Sequence, residues 1–393
     1  MKLLMVLEGE FPPDDRVEKE AVSLIEAGHE VFLACYTMIN REEYEEYKRI
    51  KVYRKPISKF IYKSSVGCLK FPFYFNFWRN FLNGLFNNGT FDAIHIHDLP
   101  LVQVGLEFKH KYKIPLVFDM HENYPVLLEL STHIKKPLAR LLHSNKAWRK
   151  YEVTMLKSAD RIITVIDEMF ERVKEFQIPA EKIIVLPNTI RISDFEFPDK
   201  RPDDHFLTMI YIGGITYHRG LQVVLNGMKL ILDQRKNIRL WIVGSGNYVS
   251  DLKKLASELN LDNFVDFLGW KNFPEMAELL MLSDIAIIPH LKSEHTDHTI
   301  PNKIYQYAYA NKPIITSNCR PLERLVREMN IGVCYKHDSV EDFVNSFIEL
   351  TKNSDYIKIG ENGRKYILDK YNWEKTVEPL LQIYQLLQNQ SKK

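Results

Sequence analysis

The run Asp284-Ile-Ala-Ile-Ile-Pro289, followed by His298-Thr-Ile-Pro-Asn-Lys-Ile-Tyr-Gln-Tyr-Ala-Tyr-Ala-Asn-Lys-Pro313 and then Ile314-Ile-Thr316, decides how the chain is read. The first and last pieces are short unbroken apolar runs, the pattern of strands buried on both faces of a parallel sheet. Between them, His298 to Pro313 reads as a loop entering a short helix at the carboxyl edge of that sheet, where open α/β sheets bind ligands. Pro301 suits a first helical turn, and Lys303 would stand beside free backbone N–H groups that already favour an anion. Gln306 falls about one turn further, near the same face. A cation, an amide and a helix N-terminus on one crevice point to a phosphate and a sugar hydroxyl. An ordinary helix with a solvated lysine also accounts for the stretch.

Outward from this point the same alternation recurs. Leu207 to Gly214, Ile238 to Gly246 and Phe264 to Gly269 are strands separated by helical spacing, which makes a doubly wound half. Strand-end glycines Gly213, Gly214, Gly244 and Gly246 would let phosphates approach the backbone, or mark simple turns. Arg219, near the next helix start, could fork onto a phosphate. Earlier in the chain, Lys2 to Leu7, His29 to Cys35, Phe91 to Ile96, Pro115 to Phe118, Asp160 to Ile166 and Lys182 to Leu186 form a first sheet, with a linker at Asp194 to His205. The expected fold is therefore α/β with two Rossmann-like parallel-sheet domains. The first turn reads Gly9-Glu-Phe-Pro-Pro-Asp-Asp-Arg16 and lacks G-x-G-x-x-G, which disfavours a dehydrogenase. Asp119-Met-His-Glu-Asn123 stands at a strand end, the position for chemistry. It has no second His at i+4, so a metal motif is not indicated. A neutral His121 hydrogen-bonded to a substrate hydroxyl is the preferred role, with a His capping a turn as the alternative.

Composition narrows the classes. With 393 residues the chain calls for about two domains. Lys+Arg (53) and Asp+Glu (51) nearly cancel to +2, against a nucleic-acid binder governed by net charge. Cys35, Cys68, Cys319 and Cys334 lack C-x-x-C spacing and fit reduced thiols in a cytoplasmic protein. No signal peptide and no membrane-spanning run is visible. From Lys48 to Phe91 there is no acidic residue, and basic side chains alternate with aromatics, densest at Phe71-Pro-Phe-Tyr-Phe-Asn-Phe-Trp78. That mixture suits an anionic membrane surface, or a helix whose rings pack in the core while its lysines are solvated. Ser131 to Tyr151 is a second acid-free stretch open to the same two readings.

The motif series resembles the retaining glycosyltransferases of family 4, with the GT-B architecture of two facing Rossmann-like domains across a cleft. The second-half motifs are Tyr211-Ile-Gly-Gly214 with Arg219-Gly220, Trp241-Ile-Val-Gly-Ser-Gly246, Phe267-Leu-Gly269, Ser283 to Pro289, Pro301-Asn-Lys-Ile-Tyr-Gln-Tyr307 and Tyr371-Asn-Trp373. Phe11 to Ala21, Ala27 to Val31, His97-Asp-Leu-Pro100, Asp119-Met-His-Glu122 and Leu186-Pro-Asn188 carry it in the first half. The resemblance implies residues 1–193 as an acceptor-side domain, 194–375 as a nucleotide-sugar domain and 376–393 as a helix crossing back to the first. It implies transfer from a nucleoside-diphosphate sugar, without metal or cofactor, to a glycan or lipid-linked acceptor, on or near the cytoplasmic face of a membrane. Arg219 and Lys303 would stabilise the leaving diphosphate, and His121 would contact the transferred sugar, with His298 near it. Gln306 would meet the ribose, the backbone at Leu268 and Gly269 would hold the base, and Asn302 would complete the donor side. Arg16, His97, Asp98 and Glu122 would lie on the acceptor side. The chain departs from the family where Glu is usual and His298 and Gln306 stand, and where Gly214 and Arg219 replace the usual Arg and Lys. Gln306 for a carboxylate weakens a ribose hydrogen bond by about 1 kcal/mol. Those departures leave room for a non-catalytic nucleotide or glycan binder, and more remotely for a sugar-nucleotide epimerase.

Overall fold

A computed structural model describes residues 1–130, 144–195, 197, 206–352 and 356–391. The chain forms two units: residues 1–187 with 377–393, and residues 188–376. The first division thus falls after Pro187, where 193 was expected, and the linker drawn at 194–205 lies mostly outside the described residues.

Among its described residues the first unit is built on eight strands: β1 (Lys2–Leu7), β2 (Glu30–Thr37), β3 (Tyr44–Tyr47), β4 (Ile50–Pro56), β5 (Ala93–His97), β6 (Leu116–Met120), β7 (Arg161–Thr164) and β8 (Ile183–Val185). Their order is β3-β4-β2-β1-β5-β6-β7-β8. Only β3 runs antiparallel to its neighbour, turning into β4 through Lys48 and Arg49, both at positive φ. That hairpin was not expected, because Glu43 to Tyr47 carries charge instead of an apolar run and β3 is an edge strand. The order reverses on either side of β1. A βαβ crossover is right-handed, so helices are laid on both faces and the central strands become fully apolar, as Leu3 to Met5 are.

The second unit holds β9 (Leu207–Ile212), β10 (Ile238–Val243), β11 (Val265–Gly269), β12 (Ile285–Ile288), β13 (Ile314–Ser317) and β14 (Gly332–Tyr335), in the order β11-β10-β9-β12-β13-β14 and parallel throughout. The reversal is at β9, between β10 and β12, so the loops leaving β9 and β12 open side by side. Gly220 lets them meet. It sits at φ 72°, and a Cβ there would lie 1.8 Å from the Pro289 carbonyl oxygen. The helix expected after Pro301 spans Lys303–Tyr309. Helix Glu378–Ser391 belongs to the first unit and buries Leu380, Ile383, Tyr384 and Leu387.

The basic, aromatic stretch divides. Helix Phe73–Asn88 turns Tyr74, Phe75, Trp78, Phe81, Leu82 and Phe86 into the core. The core reading is correct for those six, and four other rings, described below, stay outside. In the second stretch, residues 131–143 lie outside the described residues. In its remainder Trp148 is buried against Tyr124 and Tyr151, while Lys146 and Lys150 are exposed.

Candidate functional site

Among the described residues, each unit brings a cluster of ionisable side chains to the carboxyl edge of its sheet. In the first, Asp14 caps helix Asp15–Glu26 by accepting from the Val17 N–H at 3.0 Å, which sets Arg16 and Glu20 one turn apart on the buried face. Sheet pairing places His97 of β5 opposite Asp119 of β6. Arg16 forks onto Asp119, with Nη2 2.8 Å from Oδ1 and Nε 3.1 Å from Oδ2, while its Nη1 donates to the Leu186 carbonyl at 2.9 Å. Its Nε is also 3.0 Å from Glu20. Both carboxylates are fully buried. His121 Nε2 lies 2.9 Å from Asp119 Oδ2, and its Nδ1 is 3.5 Å from Asp98. Asp98 is held at φ 67°, a left-handed conformation, and donates its N–H to the Asp119 carbonyl at 2.9 Å.

Electrostatics assign the protons. Burial alone would raise the Asp119 pKa, but Arg16 and then His121 reverse this and hold it well below the usual value. Glu20 goes the other way: burial and the charge on Asp119 outweigh Arg16 and raise its pKa well above the usual carboxylate value. Burial pushes His95 and His97 down to the neutral form. Burial also opposes charge on His121, yet Asp98 and Asp119 carry its pKa up to about 10. His121 is therefore an imidazolium, which corrects the neutral role assigned from sequence: a ring flanked by two carboxylates keeps its second proton. Glu122 follows at the entry to helix Tyr124–Leu130. Glu20, His95 and Tyr384 escaped sequence reading. His95 stacks on His97 at 4.4 Å, and its Nδ1 meets the Tyr384 hydroxyl at 2.8 Å. No local motif joins residues so far apart in sequence; register and a distant helix do.

Glu20, His95, His97 and Asp119 each bring a ligand atom within 4.8 Å of the others, a donor set a divalent cation could use. The Arg16 guanidinium already contacts both carboxylates, however, and Asp119 Oδ2 also meets His97 at 3.2 Å. An arginine supplies the positive charge that an ion would bring.

The second cluster is basic. Lys303 opens its helix with its Nζ 3.9 Å from the centre of the Tyr211 ring, a cation–π contact. Arg219 Nη1 lies 3.0 Å from Nε2 of buried His290. Burial and then Arg219 lower the Lys303 pKa well below a lysine's usual value. His290 is lowered well, by burial, Arg219 and Lys303, and His295 to about 4 by burial and Arg219. The sequence reading missed both histidines, which stand in the loop between β12 and the helix. His295 Nδ1 is buried without a partner among the described residues.

The remaining residues fall as follows. Leu268 and Gly269 end β11, and Trp270, just beyond, is 73% exposed. Asn302 is exposed and makes no side-chain cap, and Gln306 lies on the helix one turn past it. His298 Nδ1 is turned back onto the Glu294 carbonyl at 2.8 Å, in its own loop. The glycines need a correction of reason. A Cβ on Gly213 would meet Lys303 Nζ at 2.6 Å, on Gly244 the Gly213 carbonyl at 2.0 Å, and on Gly246 the Ile215 carbonyl at 1.9 Å. Those three make room for the protein's own chain, and Gly214 alone has open space beside it.

Two families match this sequence. Residues 17–194 match Glycosyltransferase Family 4, and residues 193–366 match Glycosyl transferases group 1. An uncharacterized glycosyltransferase of Methanocaldococcus jannaschii is 25% identical over 389 residues, covering 93% of this chain and 92% of that one. The alpha-monoglucosyldiacylglycerol synthase of Streptococcus pneumoniae is 23% identical, covering 79% and 69%. Among solved structures, Anabaena HepE in complex with UDP superposes with a TM-score of 0.69 at 14% identity, covering 99% and 100%.

Proposed function

We propose, for a chain that belongs to the family-4 glycosyltransferases of GT-B type, that it moves a sugar with retention from a nucleoside-diphosphate sugar to a glycan or lipid-linked acceptor. The observation that carries this reading is the second cluster. Every charged neighbour that moves Lys303, His290 and His295 is itself basic, so the cluster is short of negative charge. A diphosphate supplies it, and charge developing on that group as the sugar leaves is what Arg219 and Lys303 would stabilise without a metal. A departing phosphate oxygen takes the acceptor's proton on the same face. Gln306 then meets the ribose, the Leu268–Gly269 backbone holds the base with exposed Trp270 as a stacking face, and Asn302 and His298 border the donor. His121, as an imidazolium, donates from Nδ1 to an oxygen of the transferred sugar while its Nε2–H stays on Asp119, with Asp119 and Asp98 as its counter-charges. The relatives' names support the donor and acceptor classes: one was solved with UDP, another makes a glycolipid. The reading places the enzyme in the cytoplasm, working where lipid-linked or surface glycans are extended.

Incubation with a panel of uridine and guanosine diphosphate sugars, with and without acceptor glycolipids, tests this. Donor hydrolysis in the presence of a chelator is expected, and Lys303→Met is expected to lose at least about tenfold in nucleoside-diphosphate affinity. Absence of both binding and hydrolysis would sink the transferase reading. Binding with no turnover on any acceptor would favour a partner that has lost its chemistry, which the open space at Gly214 makes worth scoring. Interconversion of donors without acceptor would point to an epimerase.

A further inference from the structure

Four aromatic rings of the acid-free stretch face outward together. Phe60, Tyr62, Phe71 and Phe73 are 40–66% exposed, although side chains of this size are ordinarily buried. Three of them are in contact, with Phe60 and Phe73 5.8 Å apart between ring centres and Phe71 and Phe73 6.2 Å, while Tyr62, on the same short helix as Phe60, meets Tyr36 at 6.0 Å. Two elements build the patch. Helix Lys59–Ser64 leaves β4, and the turn at Phe71–Pro72 enters helix Phe73–Asn88. Lys59, Lys63 and Lys70 stand exposed among the rings.

Several cations of this stretch are engaged away from the patch. Lys48, Lys51, Arg54 and Arg79 are each paired with a carboxylate, Glu18, Glu30, Glu45 and Glu107 respectively. Lys55 lies over the Phe77 and Phe81 rings. Lys59 and Lys63 stand exposed on the same short helix as Phe60 and Tyr62, and the stretch from Lys48 to Phe91 brings no acidic residue of its own to the patch. Parallel pairing sets Thr37 beside Pro56, so exposed Met38 and Ile39 leave the sheet at the same edge. A cavity of about 320 Å³, lined among others by Lys70, Phe71, Arg79 and Tyr151, opens at the rim.

We propose that this face docks on an anionic lipid bilayer, with Phe60, Tyr62, Phe71 and Phe73 at headgroup depth and Lys59, Lys63 and Lys70 against lipid phosphates. Aromatic rings favour that depth because one layer accommodates both their apolar bodies and their polar surroundings, and cations add attraction to anionic lipid. A folded protein partner is the less fitting occupant, since its interface core is depleted in lysine. The face lies at the carboxyl edge of the first sheet, the edge that carries His121, so a lipid-borne substrate would be presented on the side where this unit's ionisable cluster stands. The inference does not depend on the transferase reading.

Co-flotation of the full chain with vesicles of phosphatidylcholine containing phosphatidylglycerol, beside vesicles of phosphatidylcholine alone, tests it. Binding to the anionic vesicles only is expected, weakened by salt, and reduced roughly tenfold or more in Phe60→Ser/Phe71→Ser/Phe73→Ser and in Lys59→Glu/Lys63→Glu. Nucleoside-diphosphate binding should be unchanged in both variants, which separates this inference from the donor site. If the triple variant melts early, Phe60→Ser alone replaces it. Wild-type protein that stays off anionic vesicles, or variants that float as well as wild type, would overturn the proposal. So would a dimer in solution that the triple variant abolishes while flotation is absent.

Discussion

Replacing Arg16 by methionine isolates what the buried fork does. Asp119 would then lose its main counter-charge in a fully buried position, and breaking a buried pair from one side costs about 3–5 kcal/mol. Urea denaturation of Arg16→Met is expected to show a loss of that size, and a loss under about 1 kcal/mol would mean that His121 or water takes over the charge. Part of this site was legible. Arg16, His97, Asp98, Asp119 and His121 stand at strand ends or a helix start, where position alone implies chemistry. Glu20, His95 and Tyr384 did not show, because one turn of helix, one sheet register and a helix almost 300 residues away bring them in. The protonation of His121 was misread for a related reason: a charge state belongs to neighbours, and Asp98 reaches the ring from the turn after β5.

At the scale of elements, periodicity already held the answer to the aromatic stretch. Tyr74, Phe75, Trp78, Phe81, Leu82 and Phe86 recur at helical spacing and go inward, while Phe60 and Phe71 fall outside that helix. The edge hairpin of β3 and β4 could not be read so, since its charged strand carries no apolar alternation. The last helix gives a sharper test. Leu380, Ile383, Tyr384 and Leu387 are nearly or fully buried, and each is worth about 1.5–3 kcal/mol as an upper bound on burial. Truncation after Thr376 is therefore expected to leave the first unit open to limited proteolysis under conditions where the full chain resists. Equal resistance would show that the helix contributes little to that unit.

For the whole molecule, the two units answer pH in opposite senses. In the first, the pKa of Glu8 is raised from 4.5 to about 8, mainly by burial, and that of His121 from 6.5 to about 10, where Asp98 and Asp119 outweigh burial. Each binds its proton more tightly folded than unfolded, so its contribution is full below the unfolded value and is lost as pH rises through the folded one. In the second unit Lys303 is lowered, chiefly by burial. Its unfolded form holds the extra proton, so raising pH toward 10.5 adds stability. Between about pH 7 and 8.5, before free thiols and phenols titrate, hydrogen exchange corrected for intrinsic rates is expected to quicken in β1, β5 and β6 while β9 and β12 hold or slow. Parallel changes in both units would refute the assignment. The buried fork of the first unit has a further consequence for descent. Arg16 and His121 hold the Asp119 carboxylate between two cations at a largely buried site, so a change at any of the three strands a charge on the others. Lineages that keep this unit are expected to pass the group on entire or to exchange it in a single concerted replacement, and mutational drift should be frozen there while the surface around it varies.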